Sequence, residues 1–258
     1  MKYDRQNRMR QLLIERKQVS CKELCDMFDI SIETVRRDLS ELEAEGVIKR
    51  VYGGAMLSDN TSAPNPMKPW DTRHVLNNAE KANIAVEMMN YIQDGMTIAL
   101  DSGTTILEIA RLLYKRNNLN VITNDLYIAS EISRNSNHTI YLIGGSLKKD
   151  DRITVGFLAT EFMKNFSRID ASILSCDGFI DGIGDFNVDM CALKKAMVEK
   201  SEKVYVSVDH TKFSISPLYK VCGLKDLDVI ITGDEAPADV ISRIRSSGTD
   251  VVLVPCHR

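Results

Sequence analysis

Residues 20–55 read SCKELCDMFDISIETVRRDLSELEAEGVIKRVYGGA. Their spacing predicts two helices, a tight turn between them and a short hairpin. Ser20 followed by Glu23 fits a capping box, in which the serine hydroxyl takes a free amide and the glutamate returns to the serine's own N–H. A helix from Cys21 would bury Leu24, Cys25 and Phe28, and Asp29 and Ile30 make the turn. Ser31 is a second N-cap candidate, with Glu33 in the first turn, where a negative charge suits the helix dipole. Val35, Leu39 and Leu42 then recur at helical spacing as an inward stripe. Gly46 is placed to end that helix.

Thr34, Arg36, Arg37 and Ser40 fall away from the stripe. The second helix therefore packs one face and offers hydroxyls and two guanidinium groups on the other. Major-groove reading needs such a face: arginine meets a guanine edge with two donors, and short polar side chains reach phosphates or bases. Residues 47–57, with Lys49, Arg50 and Tyr52 and a bend at Gly53 and Gly54, suit a wing lying on the DNA backbone. A helical hairpin with a solvated charged face would share the amphipathicity. The caps, the paired arginines and the basic hairpin together favour DNA. The candidate contacts are Ser20, Ser31, Glu33, Thr34, Arg36, Arg37, Ser40, Lys49, Arg50, Tyr52, Gly53 and Gly54.

The run SIETVRRDLSELEAEGVIKRVYGGA resembles the signature of the DeoR family of bacterial transcriptional regulators. That signature joins a TVRRDL-type recognition helix to a wing ending in R-x-x-G-G-A. The resemblance implies a winged helix-turn-helix at the N-terminus and a repressor's function, and it extends over the rest of the chain.

Bulk properties bound the alternatives. The 258 residues hold one small and one medium domain, and 44% hydrophobic with 27% charged residues suits a soluble globular protein. No apolar run is long enough to cross a membrane, and the charged N-terminus MKYDRQNRMRQLL does not read as a signal peptide, so a cytoplasmic location is expected. Cys21, Cys25, Cys176, Cys191, Cys222 and Cys256 show no metal-ligand spacing and read as reduced thiols, with neither metal nor cofactor expected. Residues 1–57 hold 11 Lys and Arg against 10 Asp and Glu, while the whole chain carries a net charge of -3. The DNA reading rests on where the charges sit, not on their total.

Along the chain, residues 5–16 form a supporting helix with Met9, Leu12 and Leu13 inward, and 17–19 are a connection. Residues 58–72 begin SDNTSAPNPMKP, whose prolines exclude a helix and mark a semi-rigid linker between residues 1–57 and 73–258. From residue 77 onward, helical patterns alternate with short apolar strands near 96–100, 120–122, 139–143, 171–175, 204–208, 229–231 and 251–254. That alternation predicts a Rossmann-like α/β domain with a largely parallel sheet.

Ligands of such sheets sit beyond the carboxyl ends of the strands. After Leu100 come Asp101, Ser102, Gly103, Thr104 and Thr105, then a helix. Small hydroxyl residues and a glycine at a helix N-terminus suit a phosphate, although a plain capped turn needs only one of them. Later strands are followed by Asn124, by Gly145, by Asp177, Gly178 and Asp181, and by Asp209 and Lys212. Together these suggest a polyol pocket, with Lys212 or Lys194 for a phosphate. Lys194 and Lys195, by themselves, read as a solvated helix face.

DSGTT, the TN after the next strand, the GG of LIGGSL, the DG of CDGFIDG, a lysine before A-M and D-x-[ST]-K-F resemble, in that order, the DeoR-family effector domain. The resemblance implies a fold similar to ribose phosphate isomerases and phosphorylated sugars or sugar alcohols as effectors. It implies effector contacts at Asp101, Ser102, Gly103, Thr104, Thr105, Asn124, Gly145, Asp177, Gly178, Lys194, Asp209 and Lys212. The chain departs from the family at Met190-Cys191, where many relatives have Glu-Ala, and in GIGDFN at 182–187. The expected function is a repressor, a homodimer or homotetramer on double-stranded operator DNA, released by the phosphorylated effector. The alternative is a sugar-phosphate isomerase with an accessory DNA-binding domain. Against it, residues 191–197 lack the glutamate that isomerase-like enzymes place there, and no P-loop or G-x-G-x-x-G turn supports other catalysis.

Overall fold

A computed structural model describes residues 5–6, 8–9, 12–13, 16, 18–44, 48–57, 70–134 and 137–257. They divide into two compact units, Met1–Leu76 and Asn77–Arg258. Gly46 and the proline-rich stretch 58–69 lie outside the described residues. Trp70–Val75, partly within the expected linker, is a helix.

In the first unit the described residues between 5 and 16 are helical, followed by helices Cys21–Phe28 and Ile32–Ala44. The capping box forms as expected: Ser20 Oγ accepts from the Glu23 amide, and Glu23 accepts from the Ser20 amide at 2.8 Å. Asp29 closes the first helix in the left-handed conformation, φ 49°. Ser31 Oγ accepts from the Thr34 amide at 3.3 Å. Val35, Leu39 and Leu42 are fully buried against Met9, Leu13, Leu24 and Ile48. At about 1.5–3 kcal/mol for each large apolar side chain, that stripe supplies much of what fixes so small a unit.

The connection expected at 17–19 is corrected. Gln18–Ser20 is a strand, β1, in a three-stranded antiparallel sheet with β2 (Ile48–Val51) and β3 (Gly54–Leu57), in the order β1-β3-β2. Any Cβ at Gly54 would overlap the Val19 carbonyl, so the glycine is what lets β1 approach. Gly53, φ +82°, makes the bend of the wing. A buried polar anchor also holds the helices together. Asp38, with no exposed surface, accepts from Arg5 Nε at 2.7 Å and Gln6 Nε2 at 3.1 Å.

The second unit is built on a seven-stranded sheet. Its strands are β4 (Thr97–Leu100), β5 (Asn120–Thr123), β6 (Thr139–Leu142), β9 (Ile169–Leu174), β12 (Ser201–Ser207), β14 (Val229–Gly233) and β15 (Asp250–Val254). The order is β15-β14-β12-β9-β4-β5-β6, and every pairing is parallel. The chain runs outward from β4 through β5 to β6, then returns to β9 and runs the other way. The switch point is therefore between β4 and β9.

Two smaller antiparallel sheets were not expected. One is a hairpin of β7 (Ser146–Lys148) and β8 (Ile153–Val155). The other joins β10 (Gly178–Phe179), β11 (Gly182–Asp185) and β13 (Tyr219–Gly223). Helices such as Thr104–Leu112, Leu126–Ser133 and Val188–Lys200 cover the main sheet. Among the described residues no helix is long and apolar enough to cross a membrane.

Asp38→Ala leaves Arg5 and Gln6 without their common acceptor and should cost about 2–3 kcal/mol. Thermal unfolding followed by circular dichroism checks this, and an unchanged transition would remove Asp38 as the anchor.

Candidate functional site

The helix Ile32–Ala44 presents Ser31, Ile32, Glu33, Arg36, Arg37 and Ser40 to solvent, with Thr34 half-buried. Among the described residues no ion pair or hydrogen bond holds the guanidinium of Arg36 or Arg37. The inward stripe accounts for this: Arg36 and Arg37 fall between the turns that carry Val35, Leu39 and Leu42 inward, on the side of the helix left to solvent. In the wing Lys49 and Arg50 are exposed, and Tyr52 is fully so. Four expected contacts, Ser20, Ser31, Ser40 and Arg50, have other work. Arg50 donates to Ser40 Oγ at 2.8 Å, and its amide donates to Glu43 at 2.8 Å, clamping the wing to the helix. The Ser20 hydroxyl is engaged with Glu23 in the cap.

In the second unit the switch point carries a buried cluster of charges. Asp101, just beyond β4, accepts from both the amide and the hydroxyl of Ser175, just beyond β9, each at 2.9 Å. The Lys194 ammonium lies 3.0 Å from Asp101 Oδ2 and 3.0 Å from Asp185 Oδ2, and donates to the Ser175 carbonyl at 3.1 Å. All three side chains are at least 96% buried. Burial opposes the charge on Lys194, but the carboxylates of Asp101, Asp185 and Asp177 outweigh it and hold the ammonium well above the usual lysine range. The expectation for this lysine is corrected: Lys195 is the solvated residue, whereas the three N–H bonds of Lys194 are already engaged.

Asp177 sits beside this cluster, its amide donating to the Gly184 carbonyl at 3.0 Å. Burial, reinforced by the charge of Asp185, pushes its carboxyl up to about 6. Asp185 goes the other way: burial pushes it up, but the charge of Lys194 together with hydrogen bonds from Asp177, the Asn187 amide and Lys194 outweighs that and keeps it below the usual carboxylate value. Asp181 does not join the pocket. It lies exposed at the β10–β11 turn, φ 49°, 3.6 Å from Arg243.

Asn124, one residue beyond β5, donates to the Thr154 carbonyl at 2.8 Å. Its Oδ1, like Asp101 Oδ1, is buried without a hydrogen-bond partner among the described residues. Gly103 stands at the N-cap of the helix Thr104–Leu112 with φ +118° and supplies no side-chain cap. Thr104 and Thr105 are buried there, and Ser102 is half-buried. Part of this N-terminus is met from within: the Gly103 amide reaches Asp125 Oδ2 at 3.4 Å, while Asp125 Oδ1 caps the next helix at Tyr127 and Ile128. Burial pushes Asp125 up to about 6.

Gly145, φ +145°, is explained by packing, since a Cβ there would press on the Val155 carbonyl, and one at Gly178 would overlap that of Ile215. Asp209 caps the turn His210–Ser214 and accepts from Asn77 at 3.2 Å. Burial raises its carboxyl, but the charges of half-buried Lys212 and of Lys81 and the hydrogen bonds from Thr211 together outweigh this and leave it below the usual value. Sequence reasoning missed Asp125, Ser175 and Asp185. The first two follow strands as the other candidates do, so the same rule reaches them. Asp185 comes from an antiparallel strand, and only its place in the departing GIGDFN segment marked it.

Comparison with known proteins agrees with this architecture. Residues 5–61 match the model of the DeoR-like helix-turn-helix domain, and residues 76–234 match that of the DeoR C terminal sensor domain. The chain belongs to the DeoR family of transcriptional regulators. It is 36% identical to the transcriptional repressor AccR of Agrobacterium fabrum, across 93% of each chain. It is 32% identical to the glycerol-3-phosphate regulon repressor of Escherichia coli, across 92% of this chain and 93% of that one. It is 30% identical to the HTH-type transcriptional regulator GolR of Listeria innocua, across 97% and 98%. Overlay on solved structures is loose. Ribose 5-phosphate isomerase A of Methanocaldococcus jannaschii gives a TM-score of 0.39 and 15% identity over 53% of this chain and 55% of that one.

Asp125 sets a pH test. Its folded-state carboxyl titrates above the ordinary 3.8, so the native chain holds this proton more tightly than the unfolded one. Stability from this group is full below about pH 4 and is lost as pH rises through about 6, on the order of 2–3 kcal/mol. Asp125→Asn keeps Oδ1 as the cap and cannot ionise. It should gain stability over wild type between pH 4 and pH 7 in urea unfolding, and a constant difference would refute the buried charge.

Proposed function

We propose that this chain is a DNA-binding transcriptional repressor, released from its operator by a phosphorylated sugar or sugar alcohol. The observation that carries the DNA half is the outward pair Arg36 and Arg37 on a helix whose opposite face is wholly buried. A protein that must read bases keeps such groups unpaired until the major groove pairs them. Contacts from Lys49 and the wing add affinity that falls with salt. A homodimer or homotetramer would present two recognition helices to successive major grooves.

The sensor half rests on the switch-point cluster. Asp101 Oδ1 and Asn124 Oδ1 lie at neighbouring strand ends, one residue past the Leu100–Thr123 pair, as buried acceptors without donors. Hydroxyl groups of a polyol are donors of the right kind, and leaving such acceptors unmet is costly. The N-terminus at Gly103–Thr105, which Asp125 meets only through a long contact to the Gly103 amide, and the half-buried Lys212 supply the positive field for a phosphate. Lys194 acts here as the positioning residue that fixes Asp101 and Asp185. The ligand releases DNA only if it binds the non-operator arrangement better, and the coupling is then reciprocal.

Two variants test this on the full chain. Arg37→Ala should weaken operator binding about tenfold or more, the loss of a bidentate base contact, with thermal stability unchanged. Unaltered affinity in a gel-shift titration would contradict the recognition helix. Asp101→Asn should still bind operator but lose release by the sugar phosphate that frees the wild type. Normal release would take Asp101 out of the effector site. Turnover of pentose or hexose phosphates by the purified chain would favour the isomerase reading instead.

A further inference from the structure

A second set of donors lies at the carboxyl edge of the main sheet, among β12, β14 and β15, apart from the β4–β9 switch point. Glu80, on the helix Asn78–Met88, is 1% exposed. His210 opens the turn after β12, and Cys256 follows β15. Their donor atoms all lie within 4.8 Å of one another. His210 Nδ1 is 2.9 Å from Glu80 Oε2 and 3.6 Å from Cys256 Sγ.

The nitrogen–sulfur separation matches an edge of a small coordination tetrahedron, and the nitrogen–oxygen separation is about 0.5 Å shorter than one, so the imidazole and the carboxylate part slightly to admit an ion. With zinc–nitrogen and zinc–oxygen bonds near 2.1 Å and zinc–sulfur near 2.3 Å, nitrogen and sulfur stand about 3.6 Å apart, and nitrogen and oxygen about 3.4 Å. The carboxylate is already oriented for the task. Glu80 Oε1 is fixed by the amides of His210 at 2.7 Å and Gly233 at 3.0 Å, which leaves Oε2 turned toward the imidazole and the thiol. Gly233 is required for this approach, because a Cβ there would overlap both Glu80 Oε1 and Cys256 Sγ. On the far side of the ring, His210 Nε2 is 3.8 Å from Glu235, too far for a hydrogen bond, and Glu235 is paired with His257 at 2.7 Å. The His210 side chain is 24% exposed, which gives the site a path from solvent.

We propose that Glu80 Oε2, His210 Nδ1 and Cys256 Sγ bind a zinc-type divalent cation, with water in the fourth position. One thiolate, one imidazole and one carboxylate form a set that zinc accepts and that calcium or magnesium, which prefer oxygen, do not. Coordination replaces the S–H bond of Cys256 by a sulfur–metal bond, and that proton leaves to solvent. The ion clips the start of the helix Asn78–Met88 to the segments that follow β12 and β15. Neither the operator helix nor the switch-point cluster supplies a ligand.

The test uses the tag-free full chain, stripped with chelator and titrated anaerobically with cobalt(II), then zinc(II). One equivalent of cobalt should give a thiolate-to-metal charge-transfer band and tetrahedral visible bands, both displaced by zinc. Cys256→Ser should lose the charge-transfer band and bind zinc at least tenfold more weakly. Glu80→Gln, which keeps an oxygen for the two amides, should also weaken zinc at least tenfold, with an unchanged circular dichroism spectrum. A wild-type chain that gives no band, a band that survives Cys256→Ser, or zinc affinity indifferent to Glu80→Gln would each overturn the assignment.

Discussion

The sensor domain depends on one buried ammonium group. Lys194 reaches its place on a helix packed deep against the sheet, and two carboxylates from different parts of the chain close on it, Asp101 from β4 and Asp185 from β11. Removing three charges from water costs several kcal/mol per ion, and the arrangement persists only because each charge is met at 3.0 Å and further satisfied by hydrogen bonds. Replacing one member would strand the others. Substitutions here therefore act on positioning as well as on any ligand. The cluster also explains why Asp177 and Asp185 part company: next to a fixed cation one carboxylate stays ionised, and its neighbour is pushed toward holding a proton.

The sheet order gives that cluster its location. A parallel sheet whose chain reverses direction between β4 and β9 opens a crevice where two adjacent strand ends lead to opposite sides. Asp101 and Ser175 face each other across that opening, and Asn124 flanks it one strand away. The first unit follows a different economy. A single apolar stripe fixes three helices and a wing, so nearly every polar residue of the second helix is left for solvent or DNA. Asp38 is the exception, drawn inward as a polar anchor for Arg5 and Gln6.

Much of this was legible in the chain, for identifiable reasons. Val35, Leu39 and Leu42 carry a helical period with caps at the expected positions, so the exposure of Arg36 and Arg37 followed directly. The parallel strands were legible because alternation with helices is a long-range pattern. Strand β1 was not, since three residues have no period of their own and the strand exists only through pairing with β3. Lys194 was ambiguous because its helix is buried on more than one side, with Leu193, Ala196 and Met197 around it, and therefore shows no clean polar face. Asp181 and Asp177 look alike in CDGFIDG. Only the hairpin of β10 and β11 separates them, placing one at an exposed turn and the other beside Lys194.

Hydrogen exchange of the full chain, measured by mass spectrometry with and without a panel of sugar phosphates, tests the central claim most directly. The account predicts that a phosphorylated polyol slows exchange at the strand-end segments around 101–105, 124–125, 175–185 and 209–212. Protection confined to other parts of the sheet, or no protection by any phosphorylated sugar or sugar alcohol, would contradict a sensor built on the Asp101–Lys194–Asp185 cluster.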